Sequence, residues 1–593
     1  MTKMTTEEAF IKVCQMHGIE HSFGIIGSAM MAISDLFPKA GITFWDCAHE
    51  VSAGMIADGY TRSTGKMSMA IAQNGPGITN IVTPIITAYW NHTPLLLVTP
   101  QAANKTLGQG GFQEVKQMAM FEDCVCYQEE VRDPSRIAEV LNRVIEKAWR
   151  GSAPAQINIP RDMWTQVIDI EMPQIMNLAH PSGDADAISD AAELLSNAKF
   201  PVIVNGVGVI LGGAIDASKA LAEKLDAPVC VNYQHNDAFP GSHPLFAGPL
   251  GYNGSKAAMQ LVNKADVVLC LGNRLNPYST MPGYQYDYWP KDAKIIQVDI
   301  NADRIGLVKR VSVGIQGDAK KVAEQLLAKL SASAGDADRQ ERKDLIATTK
   351  SKWLQELTSM SSEDDDEGIT WNSRARDRDP DRMSPRQAWR AIMAAMPDDA
   401  IVSTDIGNNC AIGNAYPTFE KGRKYLAPGM FGPCGYGLPA ILGAKIGCPD
   451  VPCIGFAGDG AFGISMNELT AAGRNDWKPI TMIVFRNYQW GAEKRNTTLW
   501  FDDNFVGTEL NVGVNYAKVA EACGLKGVQV TDPATLTEVL RTAVKEQMED
   551  NTTTLIEVIL NQELGEPFRR DAMKPPVEVA GINPGDMKPQ NPT

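Results

Sequence analysis

Ala457-Gly458-Asp459-Gly460-Ala461 is followed, 28 positions after its aspartate, by the asparagine of Ile483-Val484-Phe485-Arg486-Asn487-Tyr488-Gln489. One helix-length segment and one apolar strand lie between the two. A strand ending in Asp-Gly, a helix, and a strand ending in Asn form a βαβ unit. Its two oxygen-bearing side chains meet at the carboxyl edge of a parallel sheet, where such sheets bind ligands. Oxygen-only ligation suits Mg²⁺ or Ca²⁺, and Mg²⁺ usually shares its shell with phosphates. The stretch therefore predicts a parallel α/β domain that holds a diphosphate through a metal.

The chain around it has 593 residues, room for roughly three or four domains of about 150 residues each. Apolar residues make up 44%, enough for large cores, and the net charge of −15 argues against nucleic acid or an anionic membrane as the main partner. The first residues, Met1-Thr2-Lys3-Met4-Thr5, lack the apolar stretch of a signal peptide, and no apolar run is long enough to cross a bilayer. Eleven scattered cysteines form no CxxC pair. That pattern predicts a reducing, cytoplasmic setting rather than a disulfide framework or a zinc site.

Three α/β blocks are expected. The first, 1–180, opens with a helix capped at Thr5, with Glu8 three residues on, and includes apolar strands at Leu95–Val98 and Gln156–Pro160. The second, 185–335, has short buried strands at Pro201–Val204, Asp266–Cys270 and Lys294–Asp299. The polar stretch 336–383, with Glu363-Asp364-Asp365-Asp366-Glu367, reads as a solvated linker. The third block, 384–560, opens with Ser384-Pro385-Arg386-Gln387, a helix start with Pro at its first position. A polar, Pro-rich tail, 561–593, closes the chain. Blocks one and three begin alike, which hints at two copies of one fold around a different centre.

Block one contributes Trp45-Asp46-Cys47-Ala48-His49-Glu50 just ahead of a helical pattern. Alone, Glu50 is an acid favoured by a helix dipole. Together with the Gly458-Asp459-Gly460 to Asn487 spacing and the order of blocks, it resembles the thiamine-diphosphate enzymes of the acetohydroxyacid synthase and pyruvate oxidase type. The resemblance covers essentially the whole chain. It implies three doubly wound parallel-sheet domains: pyrimidine-binding, central Rossmann-like and diphosphate-binding. It also implies thiamine diphosphate with Mg²⁺, and a homodimer or homotetramer whose active sites lie between the first block of one subunit and the third of another.

Carried over by position, Glu50 matches the glutamate that hydrogen-bonds the aminopyrimidine ring. Asp459 and Asn487 match metal ligands, and Gln489 matches a ligand through its backbone carbonyl. Asn408 and Asn409 fall in the loop touching the diphosphate, Gly460 and Ala461 open a helix whose free N–H groups receive phosphate oxygens, and Gly458 just before them is a further cofactor-binding candidate. Gly432 matches the carbonyl that accepts from the 4′-amino group. Cys434 takes the place of a bulky apolar wedge, as a small packing residue or a reactive thiol. Asn74 stands where a Ser-Gly-Pro-Gly turn has its serine, and Gln113 matches a catalytic glutamine facing the reacting carbon. Arg486 replaces an asparagine, either as a salt-bridge partner or as an anion contact. Leu271–Arg274 and Val298–Asn301 echo flavin-holding segments, although the implied reaction has no redox step.

Trp490–Asn496 and Phe568–Pro576 depart from the acetohydroxyacid synthases and resemble a branch of the family that converts sulfoacetaldehyde and phosphate to acetyl phosphate and sulfite. The implied route is carbanion addition, sulfite elimination and phosphorolysis of acetyl-thiamine diphosphate. Its two anions call for Lys or Arg. Lys494, Arg495, Arg569 and Arg570 are candidates, with exposed surface charge as their other reading. Other thiamine-diphosphate lyases, such as acetohydroxyacid synthase or sulfopyruvate decarboxylase, are alternatives. A non-catalytic regulatory homologue is a third.

Overall fold

The computed structural model describes residues 2–563, apart from 285, 331–335, 360–380, 475 and 502. Three six-stranded parallel sheets form its frame, each flanked by helices. The first sheet runs Thr43–Asp46, His21–Gly24, Met69–Ile71, Leu96–Gln101, Ala155–Pro160, Tyr127–Glu130. The third runs Tyr425–Leu426, Ile401–Thr404, Cys453–Gly458, Thr481–Arg486, Thr554–Ile559, Lys526–Val530. Both place their strands in the order second, first, third, fourth, sixth, fifth along the chain. The alike beginnings of blocks one and three therefore belong to one topology used twice.

The central sheet runs Phe246–Pro249, Val229–Val231, Pro201–Asn205, Val267–Leu271, Lys294–Asp299, Val313–Gln316. Its order is third, second, first, fourth, fifth, sixth, that of dinucleotide-binding folds. Its strands are short apolar runs buried on both faces, as a sheet covered by helices on each side requires. Both expected capping boxes form, Thr5 with Glu8 and Ser384 with Gln387.

The expected solvated linker differs in its first part. Asp336–Ser359 is a helix lying on the central domain. It buries Ile346, Trp353 and Leu357, pairs Arg339 with Asp226, and donates from Arg342 Nη1 to Leu225 O at 2.6 Å. Its apolar residues recur at helical spacing but are diluted by charge, so composition hides the stripe. The acidic run 363–367 lies outside the described residues. No described helix is long and apolar enough to cross a membrane.

The outer domains pack against each other through the helices Glu50–Thr64 and Gly437–Gly447. They cross on glycine. A Cβ on Gly59 would lie 2.1 Å from Ala440 O, and one on Gly443 would lie 2.0 Å from Ile56 O. Only hydrogen side chains let the two backbones approach this closely. The crossing fixes Glu50, the first residue of its helix, relative to the third domain.

Candidate active site

In the third sheet, Ile401–Thr404 pairs with Cys453–Gly458, which pairs with Thr481–Arg486. Register sets Gly458 beside Phe485, so Asp459 and Asn487 leave neighbouring strands at the same carboxyl edge. A cavity of about 260 Å³ opens there. Its wall gathers Asn408, Asn409, Gly432, Cys434, Gly458, Asp459, Gly460, Ala461, Asn487, Gln489 and Arg495. Every third-domain candidate among the described residues except Arg486 and Lys494 is on it.

Asp459 is buried. Its Oδ2 accepts from Tyr488 N at 2.7 Å and Arg486 Nη1 at 3.0 Å, and its Oδ1 accepts from Gly460 N at 2.9 Å. Burial pushes its carboxyl up to about 6, against the pull of Arg486. Arg486 is the salt-bridge partner of the two readings. Its Nη2 also donates to Asn511 O and Val514 O at 2.5 and 3.2 Å, and Glu557 lies 3.6 Å from its Nε. Tyr488 and Tyr516 flank its guanidinium. Asp405 ties the opposite wall, accepting from Gly435 N at 3.0 Å and Gly437 N at 2.8 Å, and so anchors the Gly432–Cys434 segment. Gly432 has φ +63°, a left-handed conformation that suits glycine. Burial pushes the Cys434 thiol up to about 12, which keeps it protonated and favours the packing reading.

The cavity fits a metal-bridged diphosphate. A Cβ on Gly491 would lie 3.3 Å from the Asn408 side chain and 3.6 Å from both Asn487 Nδ2 and Gln489 Nε2. Glycine thus leaves open the point where the Asn487 and Gln489 amides meet the Asn408 side chain. Asn409 Oδ1 and Gln489 Oε1 are buried on this wall without a hydrogen-bond partner. Buried amides left open in this way are suited to a polar ligand. The donor set, one carboxylate with amide and carbonyl oxygens, is that of a hard cation.

The two block-three cations separate. Lys494 pairs with Glu509, lies 3.3 Å from Gln562 Oε1, and is off the cavity wall. Arg495 is on the wall, donating to Asn408 Oδ1 at 2.9 Å and to the Tyr252 hydroxyl. Arg569 and Arg570 lie outside the described residues. Sequence reading missed Tyr252, which comes from the central domain with Tyr233 and Tyr278. No motif marks it, because only folding brings it here.

The first-domain candidates form a separate group. Glu50 is buried, and its Oε2 accepts from Asn80 Nδ2 at 3.0 Å. Gln73 Nε2 donates to Gln113 Oε1 at 2.9 Å and to Asn74 Oδ1 at 2.7 Å, and Asn74 Nδ2 donates to Gln113 O at 3.1 Å. Gln113 has φ +59° and stands beside Phe112, which is 89% exposed. Among the described residues, none from the first domain lines the third-domain cavity.

Glu468, which sequence reading also missed, reaches from the third domain to the start of the Glu50 helix. Its Oε1 accepts from Ala48 N at 2.8 Å, and burial pushes its carboxyl up to about 7. An acid raised on folding lends stability below its unfolded value, and that stability is lost as pH climbs through the folded one. The melting temperature of Glu468→Gln, relative to the parent, should therefore rise between about pH 4.5 and 7 and level off above that. A difference that stays flat with pH would contradict this account of Glu468.

Fold and site together define a diphosphate-binding α/β enzyme with a duplicated outer domain. Residues 4–120, 188–326 and 405–558 match the N-terminal TPP binding, central and C-terminal TPP binding domains of thiamine pyrophosphate enzymes. The chain belongs to that family. It is 74% identical over 588 residues to the probable sulfoacetaldehyde acetyltransferase of Rhizobium meliloti (99% of each chain). It is 73% identical over 588 residues to the sulfoacetaldehyde acetyltransferase of Roseovarius nubinhibens (99% of this chain, 97% of the relative). A probable acetolactate synthase large subunit of Methanocaldococcus jannaschii is 29% identical over 608 residues (99% and 97%).

Proposed function

We infer that this chain is a thiamine-diphosphate-dependent acyltransferase that converts sulfoacetaldehyde and phosphate to acetyl phosphate and sulfite. The full-length likeness to sulfoacetaldehyde acetyltransferases carries this reading, and the acetolactate synthases stand much further off. Bound in the cavity, thiamine diphosphate supplies an electron sink for making and breaking bonds beside a carbonyl carbon. Asp459, Asn487 and the Gln489 carbonyl would hold Mg²⁺, with Asn408, Asn409, Gly460 and Ala461 around the diphosphate. The Gly432 carbonyl would accept from the 4′-amino group, with Cys434 packed alongside. Glu50 would hydrogen-bond the pyrimidine ring, next to Asn74 and Gln113.

Because the Glu50 group and the cavity are separate within one chain, we propose that a second copy completes each site. The exposed apolar side chains near each half support this: Ile26, Leu107 and Phe112 on the first domain, Phe431 and Ile464 on the third. Purified protein incubated with sulfoacetaldehyde, phosphate, thiamine diphosphate and Mg²⁺ should release sulfite. Acetolactate formed from pyruvate, with no sulfite, would favour the synthase reading.

A further inference from the structure

We propose that Arg495, clamped between Asn408 and Tyr252 of the central domain, binds the cofactor's diphosphate rather than the anions of the substrate. The proposal rests on the thiamine-diphosphate reading of the cavity and adds a domain to that site. Arg495 is 2% exposed and lines the cavity. In the helix Gly491–Trp500 it sits one turn after Gly491, on the same face as the point where Asn408, Asn487 and Gln489 converge. Its Nη1 donates to Asn408 Oδ1 at 2.9 Å and to the Tyr252 hydroxyl, and its guanidinium lies 5.3 Å from the Tyr252 ring centre. These contacts hold the charge at the diphosphate end.

Charge explains the need. A diphosphate carries more negative charge than one divalent cation neutralises, and the Asp459 carboxylate adds to the excess. The neighbouring cations Arg486 and Lys494 lie off the cavity wall. Among the described residues Arg495 is the cation on this wall, and a planar guanidinium can donate two parallel hydrogen bonds to phosphate oxygens. Tyr252 is buried in a turn flanked by left-handed Gly251 and Asn253, so the central domain sets where that guanidinium sits.

The test is calorimetric titration of full-length protein, stripped of cofactor by EDTA dialysis, with thiamine diphosphate and separately with inorganic pyrophosphate, each with Mg²⁺. Arg495→Met should weaken both at least about tenfold, with Arg495→Lys falling between it and the parent. Tyr252→Phe should weaken them about threefold. The KM for sulfoacetaldehyde and for phosphate, measured at saturating cofactor, should shift by less than about twofold. Unchanged cofactor affinity in a folded Arg495→Met protein would overturn the proposal, as would a raised substrate KM in its place. If near-ultraviolet circular dichroism shows Arg495→Met misfolded, unchanged affinity in Tyr252→Phe overturns it. The titrations need no substrate, so a failed sulfite assay would count against the substrate assignment and leave this inference standing.

Discussion

Glu50→Gln is expected to remove nearly all turnover while leaving the fold intact. Glutamine keeps the volume of the buried side chain and retains an oxygen that can accept from Asn80 Nδ2, now at 3.0 Å. What it loses is the acidic proton, the one property the proposed role requires. A positioned acid or base contributes about 10²–10⁴-fold, so residual activity should fall below about a tenth of the parent. Alanine would test less cleanly, because it also strands the Asn80 amide in a buried setting. A folded Glu50→Gln enzyme keeping a tenth or more of parental activity would sink the role assigned to Glu50.

Asp459→Ala is expected to abolish cofactor retention. It deletes the one carboxylate in the proposed metal set and leaves Arg486, also buried, with Glu557 as its remaining carboxylate. Breaking a buried ion pair from one side costs about 3–5 kcal/mol, so the fold is expected to weaken as well. Asp459→Asn separates the two effects. It keeps the side-chain volume and one oxygen, which can accept from Gly460 N, now 2.9 Å from Oδ1, or from Tyr488 N, now 2.7 Å from Oδ2, but not from both, while removing the charge. Both variants should bind thiamine diphosphate with Mg²⁺ at least about tenfold more weakly than the parent by calorimetry. Unchanged affinity in the asparagine variant would contradict Asp459 as a metal ligand.

The third domain was legible because its signals are local. A strand ending in Asp-Gly and a strand ending in Asn must meet if the sheet is parallel, and the register of Gly458 with Phe485 is that meeting. The short apolar strands and the Thr5 and Ser384 caps are equally local, and they lie where the sequence placed them. What escaped depends on contacts between distant segments. Trp353 and Leu357 sit in a helix too charged to look buried. Tyr252 reaches the cavity from another domain, and Glu468 meets Ala48 420 positions away. The charges of Lys494 and Arg495 read alike in sequence, because one step along a helix turns a side chain by about 100°. Folding sends one to Glu509 and the other to the cavity wall.

The most direct test of the central claim is sulfite release by the purified holoenzyme given sulfoacetaldehyde and phosphate. Sulfite and acetyl phosphate should appear in equal amounts, and both should depend on thiamine diphosphate and Mg²⁺. No sulfite from cofactor-loaded protein would contradict the account.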